Sequence, residues 1–134
     1  MNDKTEVESI KRMISLIEQL RGENGYPWVK QQTFIKHLDE LKKEVQEVEG
    51  AISIGDKNNL EEELGDVLFD VLMLIKISEE EYEFKLKNIS KLICQKIVRR
   101  KPYIFGDEKA ETPEEACKIW KKIKEEEKLN SKEF

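Results

Sequence analysis

Residues 43–66 read KEVQEVEGAISIGDKNNLEEELGD, and this stretch decides the fold. Two acidic pairs, Glu44-x-x-Glu47 and Glu63-x-x-Asp66, have i, i+3 spacing inside segments of helical period. That spacing puts both carboxylates of a pair on one helical face. The residues between the segments, Gly55-Asp56-Lys57-Asn58-Asn59, form a turn. The prediction is a helical hairpin that gathers four carboxylates, the oxygen-rich environment that hard divalent cations prefer.

The second pair leads directly into VLFDVLMLI, residues 67–75, apolar except for Asp70. At 100° per residue those side chains cover most of a helix circumference, which predicts a buried helix. A carboxylate beside or within it costs several kcal/mol unless it is paired, protonated or bound to a metal. Asp66 and Asp70 therefore need partners.

With 134 residues, 40% charged and 38% hydrophobic, and only six Gly and three Pro, the chain is expected to be a charge-rich, soluble helical protein, and its periodic segments number about four to five helices. One domain over residues 1–128 and a polar tail over 129–134 are expected. A net charge of −5 argues against a nucleic-acid partner, although Lys96, Arg99, Arg100 and Lys101 make a local basic patch. No segment reaches the ~20 apolar residues of a membrane span, and the N-terminus carries no apolar leader, so a cytoplasmic location is expected. Cys94 and Cys117 are far apart and lack a metal-binding spacing; both are expected to be reduced thiols in or near the core. The single histidine, His37, is expected at the surface or with its hydrogen bonds satisfied, and a di-iron bundle is excluded because no Glu-x-x-His motif exists. The acidic set is all oxygen, which favours Mg2+ or Mn2+.

In chain order, Val7, Ile10, Ile14, Ile17 and Leu20 form the stripe of a helix over 5–21, with Thr5 and Glu8 as a capping box. GENGYPWV breaks it. Leu38, Leu41, Val45, Val48 and Ile52 mark the second helix. The third is expected to open near Asn59 and run to about Ser78. A fourth, with Leu86, Ile89, Leu92, Ile93 and Ile97 available for the core, stops at Pro102. Lys96 and Arg100 are an i, i+4 pair suited to phosphate oxygens, although alone such a pair is more simply a solvated basic helix end. PYIFGDEKAE is expected to be a loop. Thr112-Pro113-Glu114-Glu115 then starts the last helix, with Ala116, Trp120 and Ile123 facing inward and fraying after Glu125.

Taken in order, the Pro27-Trp28 segment with Gln32-Thr33, Glu44-x-x-Glu47, Glu63-Leu64-Gly65-Asp66, Arg99-Arg100-x-Pro102, Phe105-Gly106-Asp107, Thr112-x-Glu114-Glu115 and Trp120-x-x-x-Lys124 resemble the MazG family of nucleoside triphosphate pyrophosphohydrolases. The likeness covers roughly residues 15–128. It implies a single-module, metal-dependent all-α enzyme that cleaves a nucleoside triphosphate to the monophosphate and pyrophosphate, completed by dimerisation. It implies that Glu44, Glu47, Glu63 and Asp66 bind the metal and carry catalysis. It further implies that Lys30, Lys96, Arg100 and Lys124 hold phosphates and that Trp120 stacks near the base. Departures from the family pattern are Lys43 for an acid, Val29 for the Asp after Pro-Trp, and Lys101 and Tyr103 for histidines; together they suggest an altered substrate preference.

Such chemistry must neutralise about four phosphate charges and bring a water in line, with attack expected at the α-phosphorus and Glu44 or Glu47 as proton acceptor. Two alternatives belong beside it. One is a non-catalytic nucleotide-binding or regulatory module whose acids are solvated surface, and the other is an all-α pyrophosphatase narrowed to one (deoxy)nucleotide.

Overall fold

A computed structural model of the protein describes residues 4–132. Among these lie α1 (Glu6–Arg21), α2 (Pro27–Lys30), α3 (Phe34–Ile54), α4 (Lys57–Tyr82), α5 (Leu86–Arg100), α6 (Pro102–Phe105) and α7 (Pro113–Lys132). The class is all-α, as expected, with no strand among the described residues. Five long helices match the expectation; α2 and α6 are single turns inside stretches whose turn residues hid them. No helix among the described residues is long and apolar enough to cross a membrane. Two compact units divide the chain, Met1–Leu86 and Lys87–Phe134.

In the first unit α3 and α4 form the hairpin foreseen from the acidic pairs, and they are its main packing partners. Gly55 turns the chain with φ +78°, a left-handed conformation that favours glycine, and its N–H bonds back to the Ala51 and Ile52 carbonyls. α4 opens two residues before Asn59. The cap is Asp56, whose carboxylate accepts from the Asn59 N–H at 3.1 Å; Asn59 is the residue capped, not the cap. The helix also runs past Ser78 to Tyr82.

α1 lies against α4. Ile17, Val29, Met73 and Ile77 form the buried core, with Met13, Leu20, Phe34, Phe69 and Leu72 packed around it. Each fully buried aliphatic side chain contributes roughly 1.5–3 kcal/mol. Arg21 ties the α1–α3 connection down: Nη1 donates to the Val29 carbonyl at 2.6 Å and the Gln32 carbonyl at 3.2 Å, while Nε donates to Glu80 at 2.9 Å. Gly25 is required in that connection, because a Cβ there would fall 2.1 Å from the Leu20 carbonyl oxygen.

α4 is not buried all round, as its composition predicted. Leu64, Leu68 and Val71, spaced i, i+4, i+7, stay on an open side because α1 and α3 cover only the opposite one. Val7 and Ile10 of α1 are likewise exposed.

The second unit holds α6, α7 and most of α5. Thr112 caps α7, accepting from the Glu115 N–H at 3.2 Å, and Glu115 reaches back to the Glu111 N–H at 2.9 Å. The same arrangement opens α1, where Thr5 accepts from Glu8 and Glu8 from Lys4. α7 continues to Lys132, through the stretch expected to fray; residues 133 and 134 of the expected tail lie outside the described residues. Cys94 and Cys117 are free and exposed, not core, since the α5 and α7 faces that carry them are uncovered. Leu92, Ile93 and Ile97 are also exposed.

Candidate metal centre

Hairpin arithmetic builds the site. Glu44 precedes Gly55 by eleven residues and Asp66 follows it by eleven, whereas Glu47 and Glu63 are each eight away. At 1.5 Å rise per residue the two helices therefore bring the acids to matching heights along the hairpin. Glu44, Glu63 and Asp66 each offer a carboxylate oxygen, all within 4.8 Å of one another. Glu44 and Glu63 are half-buried and Asp66 is exposed, so it is the shared location and not deep burial that sets Asp66 apart. Glu47, one turn along α3, is exposed and stands outside this close group.

Electrostatics bear the mark of that crowding. Partial burial, then the charges of Asp66, Asp70, Glu63 and Glu47, push the Glu44 carboxyl above its ordinary range. Oxygens across a Mg2+ ion are about 3 Å apart when adjacent and about 4 Å when opposite, from the metal–oxygen distance. The three carboxylates thus need only a small rotamer contraction to share a hard cation, and the donor set, oxygen alone, is the chemically suited one.

Asp70 finds the partner that its burial demanded. It is His37, buried at the α3–α4 interface with Nε2 3.2 Å from Asp70 Oδ1. His37 was expected at the surface or satisfied; instead it is buried, and neither ring nitrogen has an aligned hydrogen-bond partner. Burial holds the imidazole below its usual pKa and the carboxyl above its own, while each partner's charge pulls the other back. A signal for His37 existed: it falls on one helical stripe with Leu41, Glu44 and Val48.

Lys30 Nζ donates to the Glu23 carbonyl at 3.0 Å. Lys96 is exposed on α5. Arg100 is engaged by Glu127 of α7, Nη2 to Oε2 at 2.9 Å, and Arg99 Nε reaches the same carboxylate at 2.6 Å. These two guanidinium groups hold the Glu127 carboxyl down at about 2. Trp120 is more than a third exposed, not core, and Lys124 Nζ sits 4.2 Å from its ring centroid, a cation–π contact. A groove of about 680 Å³ lined by Met13, Leu16, Leu20, Tyr26 and Phe69 together with Ser9, Arg12, Gln19, Asn24 and Gly25 contains no acid.

A hairpin that presents acids from facing helices, in an all-α chain, defines the class, and comparison with known proteins gives the family. Residues 32–105, more than half of the chain, match the MazG nucleotide pyrophosphohydrolase domain. The chain belongs to the MazG nucleotide pyrophosphohydrolase family. It is 37% identical over 123 residues to the nucleoside triphosphate pyrophosphohydrolase of Escherichia coli K12, across 91% of this chain and 47% of that protein. It is 32% identical over 122 residues to the nucleoside triphosphate pyrophosphohydrolase/pyrophosphatase MazG of Thermotoga maritima, across 91% of this chain and 46% of that protein. The chain thus spans about half the length of these curated relatives. The crystal structure of a mazG-related protein from Thermotoga maritima matches with a TM-score of 0.77 and 36% identity, over 86% of this chain and 98% of that one.

Proposed function

We propose that this protein hydrolyses nucleoside triphosphates to the monophosphate and pyrophosphate, using Mg2+ or Mn2+ held by Glu44, Glu63 and Asp66 with Glu47 alongside. The observation that carries this reading is the meeting of Glu44, Glu63 and Asp66 oxygens within 4.8 Å on the α3–α4 hairpin. A divalent cation there supplies charge neutralisation for the triphosphate and lowers the pKa of a bound water. Glu44 or Glu47 is assigned to accept the proton of a water attacking the α-phosphorus.

Lys30, Lys96, Arg100 and Lys124 are assigned to phosphate oxygens, and Trp120 to the base, on the strength of the family motifs. The cation–π contact supports pairing Trp120 with Lys124, since it holds an aromatic face and a charge side by side. A homodimer is also proposed: a second copy laid on Leu64, Leu68 and Val71 would cover the apolar side of α4 that its own chain leaves open.

The test is incubation of purified protein with a panel of ribo- and deoxynucleoside triphosphates, with and without Mg2+, and resolution of the products by ion exchange. Monophosphate and pyrophosphate formed only with Mg2+ are the expected products. Diphosphate and orthophosphate would place attack at the γ-phosphorus, and no turnover of any nucleotide would leave a binding role.

A further inference from the structure

Among the described residues the buried polar side chains are His37, Asp70 and Ser78; the Ser78 hydroxyl donates to the Ile75 carbonyl of its own helix, whereas the proposed reaction gives His37 and Asp70 no role. They are 4% and 7% exposed, and Nε2 of the imidazole approaches Asp70 Oδ1 to 3.2 Å across the two helices. Neither ring nitrogen has an aligned partner. Apolar residues would fill the same interface without desolvating an imidazole and a carboxylate, so stability alone does not account for the pair.

Its position does. His37 precedes Glu44 by seven residues, two turns of α3, and Asp70 follows Asp66 by four, one turn of α4. Both therefore lie on the helical faces that carry the acids. The Gly55 turn ties the two helices on one side of Glu44, Glu63 and Asp66, and the His37–Asp70 contact ties them on the other. Between these ties, three carboxylates repel one another across the helix pair. Around the imidazole stand Asp70 from α4, Glu40 from its own helix and Arg21 from α1.

We propose that His37 and Asp70 are positioning residues for the carboxylate group: their buried contact holds α3 against α4, opposing the repulsion of the acids, so that Glu44 stays within reach of Glu63 and Asp66. This rests on the reading of those acids as a cation site. The pair itself touches neither substrate nor cation.

The test uses the full chain and Mn2+ alone, titrated by calorimetry at constant pH, beside thermal unfolding of the same samples. His37→Leu removes the contact while leaving every carboxylate in place. Charge alone would then leave Mn2+ affinity unchanged or raise it, whereas loss of the tie weakens it by about tenfold, the lower end of the range for residues that orient metal ligands. His37→Gln, whose amide is able to donate to Asp70, stays within about threefold of the natural chain. Should His37→Leu not fold, His37→Met, which likewise cannot bond Asp70 and leaves every carboxylate in place, carries the comparison, with the same weakening expected. Unchanged Mn2+ affinity in the folded leucine or methionine variant overturns the positioning role while the cation site stands. Absence of Mn2+ binding by the natural chain overturns both.

Discussion

Glu44 and Asp66 face each other because each stands eleven residues from Gly55, and a hairpin with that one turn leaves them little other choice. Their carboxylate oxygens approach to within 4.8 Å, joined by one from Glu63. Of the charges around Glu44, that of Asp66 pushes its carboxyl up the most. Like charges held this close store repulsion that a bound cation relieves.

Neutralising one acid should therefore separate function from stability. Glu63→Gln and Asp66→Asn each remove a proposed ligand while keeping shape. Triphosphate hydrolysis is expected to fall by more than ~100-fold, beyond the 10–100-fold typical of changes behind a metal's ligands. The melting temperature without metal is expected to stay level or rise by about 1–3 °C, a few tenths of a kcal/mol for a chain of this size. Full activity in both variants, measured by pyrophosphate release, would remove the acids from the site.

The raised Glu44 pKa sets a direction for stability with pH. A carboxyl whose folded pKa lies above its unfolded one contributes its full stabilisation below the ordinary value, 4.5 here, and loses it as pH rises through the folded value. Ionised Glu44 thus strains the metal-free protein at pH 7–8. Glu44→Gln should melt above the natural chain there, and the gap should close as pH falls toward 4.5. Using the difference between the two curves matters, because His37, held low by burial, acts in the opposite sense: the stability of its neutral form is present above 6.5 and lost as pH falls through the lower folded value. A gap independent of pH would contradict the assignment of the strain to Glu44.

Glu127 is the opposite case. Bonds from Arg100 and Arg99 hold it at about 2, so its contribution is present above 4.5 and disappears as pH falls toward 2. The same contact occupies Arg100, a residue assigned to phosphate. A carboxylate and a phosphate compete for one guanidinium fork. Glu127→Gln is expected to lower KM for the triphosphate two- to fivefold with kcat little changed, and to flatten the acid limb of the melting curve between pH 4.5 and 2. A raised KM would mean that Glu127 aligns Arg100 instead of competing for it.

Local rules made the hairpin legible: two periodic segments, a glycine turn, and acids at i, i+3. Thr5 and Thr112 took their caps for the same reason, since an N-cap is decided by residues in the next turn. Asn59 misled because Asp56, three residues earlier, starts the helix first: its carboxylate accepts from the Asn59 N–H, which places Asn59 inside the first turn. Asp66 and Asp70 were both marked as needing partners, yet composition could not say which side of an all-apolar helix its neighbours cover. α3 and α1 cover the side of Asp70 and Met73 and leave that of Leu64 and Leu68 open. The buried His37 was missed because a lone histidine carries no pattern of its own; only its stripe with Glu44 placed it, and that stripe is visible once Asp70 is known to need a partner.

Two glycines offer a test of the fold with opposite signs. Gly25 turns the chain after α1, where a Cβ would stand 2.1 Å from the Leu20 carbonyl oxygen and 2.6 Å from that of Gln19. Those are backbone atoms, which no side-chain adjustment can relieve, so Gly25→Ala must displace the connection that Arg21 fastens to Val29 and Gln32. A loss of about 2 kcal/mol or more is expected, a fall in melting temperature of roughly 8 °C. Gly50 lies exposed within α3 and a Cβ there meets nothing within 4 Å. Gly50→Ala removes only backbone freedom of the unfolded chain and the poor helix propensity of glycine, a gain of about 0.5–1 kcal/mol, or roughly 2–4 °C. Since α3 carries Glu44, the stabilised variant should also keep its Mg2+-dependent activity within about twofold. Should Gly50→Ala melt below the natural chain, that face of α3 would be covered by something outside this chain, and a second copy would be the first occupant to look for by light scattering.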